Sequence, residues 1–209
     1  VAPAVIGSVT ACVERAARLA ASGGRRVLGV VGAPGAGKST IARRVVAALG
    51  AAAVYVPMDG FHLAQTELAR LGRAGRKGAP DTFDADGYVA LLRRLREPGG
   101  AVVYAPEFRR DLEEPIAGAV PVPPGVPLVV TEGNYLLLDE GPFAGVAALL
   151  DESWYVEVED GLRLARLVER HRVYGKSPEA AREWAHGSDE RNAALVAASR
   201  GRADVVVRP

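Results

Sequence analysis

Gly32-Ala33-Pro34-Gly35-Ala36-Gly37-Lys38-Ser39, with Thr40 following, constrains this chain more than any other stretch. It fits the pattern G-x-x-x-x-G-K-[ST]. Glycines let a backbone curl until successive N–H groups point at one phosphate. A helix that starts at the end of the curl adds its positive terminus. Lys38 is then placed to reach terminal phosphates, and the Ser39 hydroxyl to help hold Mg²⁺. The pattern has this meaning only between a strand and a helix. Val27-Leu28-Gly29-Val30-Val31 reads as a buried strand before it, and Ser39 to Leu49 as a helix after it. Gly32, Ala33, Pro34, Gly35, Ala36, Gly37, Lys38, Ser39 and Thr40 are therefore the expected nucleotide-binding residues. Neither remaining lysine fits the [NT]-K-x-D pattern of guanine readers, since Gly-Ala follows Lys77 and Ser-Pro follows Lys176. ATP is the expected nucleotide, with Mg²⁺.

The rest of the chain alternates. Val5, Val9, Cys12, Ala16 and Leu19 recur at helical spacing up to Gly23-Gly24. Ala52 to Val56 predicts a second strand, and residues 72–82, rich in Gly, Arg and Lys, an exposed mobile loop. Asp86 to Arg96 predicts a helix stopped by Pro98-Gly99-Gly100. Residues 101–127, broken by prolines, predict a small hairpin. Strands follow at Pro127 to Thr131 and Trp154 to Val158, then a helix from about Gly161 to Val173. A last long helix opens at Ser177-Pro178, and Ala203 to Val207 forms a final strand. Strands alternating with helices imply a mostly parallel sheet covered on both faces, with ligands at the carboxyl ends of its strands.

Composition narrows the partners. The 209 residues include 26 basic and 25 acidic side chains, so a formal charge of +1 gives no pull toward nucleic acid or an anionic membrane. No apolar run reaches the length of a membrane span. Residues 3–22 are interrupted by Glu14, Arg15 and Arg18 and read as a helix rather than a secretory leader. The chain begins at Val1, so an initiator methionine or short segment is expected before it. The one cysteine, Cys12, excludes an internal disulfide and reads as a packed thiol in a reducing, cytoplasmic protein. The excess of arginine reads as coding bias, which makes the three lysines, Lys38, Lys77 and Lys176, more informative. The three histidines, His62, His171 and His186, lack metal-ligand spacing.

Asp59 ends the second strand within Met58-Asp59-Gly60-Phe61-His62. From the residues alone it reads equally as a general base facing the γ-phosphate or as a cap for the next helix. Arg163, Arg166 and Arg170 share a helix face, reading either as a phosphate clamp or as a solvated stripe.

Strand, phosphate loop, helix, strand and "DGFH" together resemble the superfamily of uridine kinases, phosphoribulokinases and bacterial-type pantothenate kinases, from about residue 26 to 207. The resemblance extends to bacterial nucleoside/nucleotide kinases and fructose-transport-system kinases. It implies a P-loop NTPase fold of α/β class: three layers α/β/α, a mostly parallel sheet, a small hairpin insertion and a helical lid. A single domain over 1–209 is expected, with acceptor-site insertions at about 72–85 and 101–127 and the lid at about 161–178. The aspartate of the "Asp-Gly-Phe" stretch is that superfamily's catalytic base, which implies the role for Asp59. Pro80-Asp81-Thr82-Phe83-Asp84 resembles its "P-x-x-F-D" stretch and implies acceptor contact by Asp84. Val103 to Arg110 resembles the "Y-D-x-x-x-H-x-R" stretch that lines the acceptor pocket. Tyr104 matches, and either Arg109 or Arg110 supplies the arginine. The family histidine is absent and Ala105 stands where aspartate is usual, which weighs against a nucleobase-reading pocket. An arginine here is then expected to meet a carboxylate or phosphate on the acceptor. Val129 to Tyr135 resembles the strand ending in Glu-Gly, which implies Glu132 as a magnesium-site carboxylate with Asn134 and Tyr135 near the acceptor. The arginine spacing resembles the lid pattern R-L-x-R-x-x-x-R-D, with His171 in place of the aspartate. This implies catalytic Arg166 and Arg170 beside Lys38, with Arg163 structural and Tyr174 to Pro178 a hinge. His62 is expected to contact the acceptor.

The expected activity is transfer of the γ-phosphate of ATP to a hydroxyl of a small molecule: a nucleoside, a sugar or a pantothenate-type acceptor. The expected partner is that acceptor, with no nucleic acid and no membrane, and a homodimer is allowed. The competing readings are a nucleotide-dependent switch with a protein partner and a catalytically silent sensor. Neither needs an acceptor site.

Overall fold

The computed structural model describes residues 3–97 and 99–209. The elements are β1 (Ala4–Ile6), α1 (Val9–Ala20), β2 (Arg26–Val31), α2 (Lys38–Leu49), β3 (Ala53–Pro57), α3 (Gln65–Arg70), α4 (Ala85–Arg96), β4 (Val103–Arg109), β5 (Glu114–Val122), β6 (Leu128–Gly133), β7 (Glu152–Val156), α5 (Asp160–Val173), α6 (Pro178–Trp184), α7 (Glu190–Ala197) and β8 (Val205–Val207). Six strands form one sheet in the order β1-β8-β7-β2-β6-β3, with each neighbouring pair parallel. The remaining two, β4 and β5, pair antiparallel as a separate hairpin.

Parallel strands need cover on both faces, and the central ones here are accordingly apolar throughout. From β2, Leu28 and Val30 pack with Cys12 and Ala16 of α1 and Ile41, Ala42 and Val45 of α2. Val27 and Val31 point the other way, into a core built with Tyr88, Leu92 and Leu95 of α4 and Val196 of α7. The molecule is thus three-layered, α/β/α. Burial pushes the Cys12 thiol above its ordinary pKa, more than its hydrogen bond to backbone lowers it. Among the described residues no helix is long and apolar enough to cross a membrane.

Several boundaries differ from the sequence reading. Val5 belongs to a strand, because β1 finds an edge partner in β8, with Val5 opposite Val206. The helix begins only after Ser8, whose hydroxyl accepts from Ala11 N–H at 3.2 Å and caps it. Strand β7 runs from Glu152 to Val156, earlier than expected, and β8 is shorter. Pro98, named above as part of a helix stop, lies outside the described residues; α4 ends at Arg96. The last long helix is divided. A π-helical turn over Ala185–Asp189 separates α6 from α7 and buries Ser188 and Asp189. The stretch 72–82 closes in two 3₁₀ turns, Ala74–Arg76 and Pro80–Thr82. Thr82 Oγ1 donates to Ala79 O at 2.7 Å and accepts from Gly78 N–H at 2.9 Å.

Asp151 ties the start of β2 to α4. It accepts from Val27 N–H at 2.8 Å, Arg26 Nη1 at 3.1 Å and Arg96 Nη1 at 2.7 Å. Burial opposes its charge, but the Val27 N–H and the Arg96 and Arg26 guanidinium groups outweigh it and hold the carboxyl below its ordinary range. A depressed native pKa stabilises the fold above the unfolded value of about 3.9 and is lost as pH falls through the native one. Asp151→Asn is expected to cost about 1–3 kcal/mol at neutral pH. The difference from wild type shrinks below about pH 4. Urea unfolding of both proteins at pH 7 and at about pH 3.5 measures it.

Candidate active site

Register brings three strand ends together. Glu132 of β6 pairs with Val30 of β2 on one side and with Pro57 of β3 on the other. The glycine loop leaves β2 beside it, and Met58–Phe61 leaves β3 in a 3₁₀ turn carrying Asp59. The loop depends on Gly35, at φ +82°, where a Cβ would lie 2.7 Å from the Arg163 carbonyl oxygen and 2.8 Å from Leu167 Cγ of α5. The glycine of the Asp-Gly-Phe turn has a different reason. A side chain on Gly60 would run into the Pro106 carbonyl of the hairpin, so only glycine lets β4 lie against the turn.

The charges at this junction are interlocked. Lys38 is 8% exposed, with Nζ 3.1 Å from Ala33 O. Burial pushes its pKa down, opposed by Glu132 and Asp59 and reinforced by Arg170 and Arg110. Glu132 is 4% exposed; its Oε1 accepts from Ser39 Oγ at 2.9 Å and from Tyr55 Oη at 2.8 Å. Burial raises the Glu132 pKa, with Lys38 pulling the other way. Asp59 Oδ2 lies 3.3 Å from Arg110 Nη2. Burial alone would raise the Asp59 pKa, yet His62, Arg110, Lys38 and Arg170 together bring it below the ordinary carboxylate value. Burial pushes the His62 pKa down, with the Asp59 charge pulling the other way. The His62 Nδ1 is 2.8 Å from the Asp59 carbonyl oxygen. The Arg170 guanidinium makes no hydrogen bond or ion pair with any described residue, and its pKa is lowered by burial and by Arg110. Ser39 Oγ and Glu132 are hard oxygen donors side by side, a set that suits Mg²⁺. No described residue donates to Glu132 Oε2.

These groups line a cavity of about 400 Å³, closed by the hairpin, the 72–82 turns and the α5–α7 segment. Lys38, Ser39, Asp59, His62, Arg110, Glu132, Asn134 and Arg170 all face it. Four expected residues do not. Asp84 is exposed and caps α4, accepting from Gly87 N–H at 2.9 Å; its neighbour Phe83 lines the cavity instead. Tyr104 lies on the outer face of the hairpin at 58% exposure. Arg109 points to solvent and pairs with Asp111 at 2.7 Å, so strand alternation leaves Arg110 as the inward arginine. Arg166 is exposed outside the cavity, with Nη1 3.7 Å from where a Cβ on Gly37 would stand, so it lies over the glycine loop. Arg163 is buried, bonded to Glu190 at 2.7 Å and Asp160 at 3.0 Å, and fastens α5 to α7. The sequence reading missed Gln65, Glu113, Trp184, Asp189 and Asn192, and gave Lys77 no place in the cavity. His171 Nε2 and Asp189 Oδ2, 2.7 Å apart, join α5 to the π turn.

A family model described as Phosphoribulokinase / Uridine kinase family matches residues 27–208. The chain belongs to the phosphoribulokinase/uridine kinase family. Members of this family are P-loop kinases, and this chain carries the phosphate loop at residues 32–39. An ATP-dependent kinase-like protein, notR', of Aspergillus versicolor is 39% identical over 131 residues, 59% of this chain and 76% of the relative. A candidate uridine kinase of Schizosaccharomyces pombe is 34% identical over 171 residues, 78% of this chain and 73% of its own. Among solved structures, a candidate fructose transport system kinase from Silicibacter sp. TM1040 superposes with a TM-score of 0.84 at 39% identity, covering 95% of this chain and 97% of that one.

Because the hairpin rests on the Asp59 turn through Gly60, Gly60→Ala is expected to destabilise the kinase by about 1–3 kcal/mol. That is a fall in Tm of about 2–4 °C per kcal/mol at this chain length, read from thermal melts.

Proposed function

We propose that the protein transfers the γ-phosphoryl group of ATP, bound with Mg²⁺, to a hydroxyl of a small molecule. One observation carries this reading: an ionised Asp59 shares a cavity with the phosphate-loop lysine, and the cavity, at about 400 Å³, has the size of a small-ligand site. A switch protein has no use for such an acceptor chamber.

The triphosphate lies along the amides of Gly32 to Thr40, with the Lys38 ammonium at its outer phosphates. Ser39 and Glu132 would hold magnesium, which would supply charge neutralisation for the triphosphate. The acceptor hydroxyl faces the Asp59 carboxylate. Arg110 occupies one carboxylate oxygen and fixes its direction, leaving Oδ1 for the hydroxyl. The acceptor oxygen attacks the γ-phosphorus, its proton passes to Asp59, and the bond to the β,γ-bridging oxygen breaks to release ADP. Charge spreading over the transferring group is met by Lys38 and by Arg170, which is free of any carboxylate partner among the described residues. Arg166, over the glycine loop, approaches the phosphates from the lid side. The depressed pKa of Asp59 keeps it ionised before the acceptor arrives, so the base is ready without prior deprotonation. We assign the reaction to the cytoplasm.

Asp59→Asn is expected to lower kcat by about 10²–10⁴-fold with the KM for ATP little changed. ADP release in the presence of an accepted substrate measures both. Unchanged turnover in that variant removes Asp59 from the chemistry.

A further inference from the structure

Tyr55 lies on β3, an edge of the six-stranded sheet, with β6 as its one neighbouring strand. Its register partner on β6 is Val130, while Glu132 lies opposite Pro57, two residues further on. Residues two apart on a strand share a face, so Tyr55 and Glu132 are diagonal neighbours on one side of the sheet. That side is covered by α2: Val130 packs with Ile41, Ala42 and Val45, and the Tyr55 ring rests against the same cluster. Ser39 and Arg43 stand one turn apart on α2, on the face turned toward this pair. The Ser39 hydroxyl reaches Glu132, and the Arg43 guanidinium carbon lies 4.9 Å from the centre of the Tyr55 ring.

An edge strand leaves a tyrosine free to send its polar tip to water. The Tyr55 hydroxyl turns inward instead, and its one hydrogen bond among the described residues goes to Glu132 Oε1, at 2.8 Å. Packing does not require that hydroxyl, since phenylalanine would fill the same space. Glu132 Oε1 also accepts from Ser39 Oγ at 2.9 Å, so both protein donors fall on one oxygen of the carboxylate. Oε2 receives none from the described residues, and no fully enclosed side-chain oxygen among them lacks a hydrogen bond. Oε2 therefore opens on the cavity that Glu132 lines. The last torsion of a glutamate is broad and can turn either oxygen outward, unless donors claim one of them. Ser39 is itself an oxygen donor suited to magnesium, so its hydroxyl answers to two partners. Tyr55 does not line the cavity and answers to Glu132 alone.

We propose that Tyr55 is a positioning residue: its hydroxyl fixes the Glu132 carboxylate through Oε1 and keeps Oε2 presented to the cavity as a donor for magnesium, while Arg43 holds the ring. This rests on the magnesium-dependent kinase reading above. A partner that orients a ligand from outside governs how tightly the metal is held, and leaves the contacts of the phosphate loop with nucleotide as they are.

The test titrates the intact chain with the non-hydrolysable β,γ-imido analogue of ATP by calorimetry, once in EDTA and once in excess magnesium chloride. The ratio of the two Kd values measures how far magnesium aids nucleotide binding, and it needs neither an acceptor nor turnover. Tyr55→Phe is expected to lower that ratio about tenfold, with the Kd in EDTA within about twofold of wild type. Phenylalanine keeps the ring between Arg43 and the sheet, and a thermal melt checks that each variant is folded. Glu132→Gln is expected to lower the ratio as well. Adding Tyr55→Phe to that variant then changes it by less than about twofold, because the hydroxyl acts through the carboxylate. A ratio in Tyr55→Phe within twofold of wild type overturns the proposal and leaves the kinase reading standing. So does an equal loss from Tyr55→Phe with and without Glu132→Gln. A wild-type affinity that magnesium does not change overturns the proposal together with the magnesium assignment of the kinase reading.

Discussion

A lysine ammonium with almost no access to water keeps its proton only where negative charge surrounds it, and Lys38 is placed under that constraint. Glu132 and Asp59 meet it, one from the end of β6 and the other from the turn that follows β3. For both to arrive, β6 must lie between β2 and β3 with Glu132 level with Val30 and Pro57. A one-residue slip would turn Glu132 to the opposite face of the sheet. Strand order, register and the burial of one cation are thus a single requirement. The same cluster sets the chemistry, because the cations that hold Asp59 ionised are those that face the phosphates.

The lid side is held by a second set of fastenings. Arg163 pairs with Glu190, and His171 with Asp189, so α5 is attached to the start of α7 and to the end of the π turn at two points a little over two helical turns apart. The widened turn brings Asp189 into the cavity wall. Gly35 lies directly against the Arg163 carbonyl and Leu167, so the glycine loop and α5 share a surface with no room between them.

What could be read from the sequence was whatever sits in contiguous chemistry. The glycine loop, the carboxylate after β3 and the Glu-Gly end of β6 each announce themselves within a few residues, because strand-loop-helix geometry fixes where they point. Residues whose role depends on distant contacts were not legible. Asp84 matches both a helix cap and an acceptor ligand, and the backbone N–H of Gly87 claims it. Tyr104 and Arg109 lie on a hairpin whose inward side depends on where β4 meets Gly60, and pairing changes register between Ala105 and Glu107. Residues 72–82 lack any apolar period, so nothing local shows that Thr82 and Tyr135 tie the turn down around Gly78. A π turn leaves no trace in a 3.6-residue period, so Asp189 and Asn192 looked like ordinary helix positions.

The hairpin β4–β5 forms its own two-stranded ladder, apart from the six-stranded sheet. Its hold on the rest of the molecule passes through side chains and the close approach at Gly60. The part of the enzyme that carries the phosphate loop is therefore built into the parallel ladder, while the part that carries Phe108, Arg110 and Glu113 is a separate jaw seated on the core through Ala105 and Val122. Substitutions on the jaw can remodel what is gripped without altering a single hydrogen bond of the main sheet, so a lineage built on this scaffold can diversify its diet while its engine stays the same.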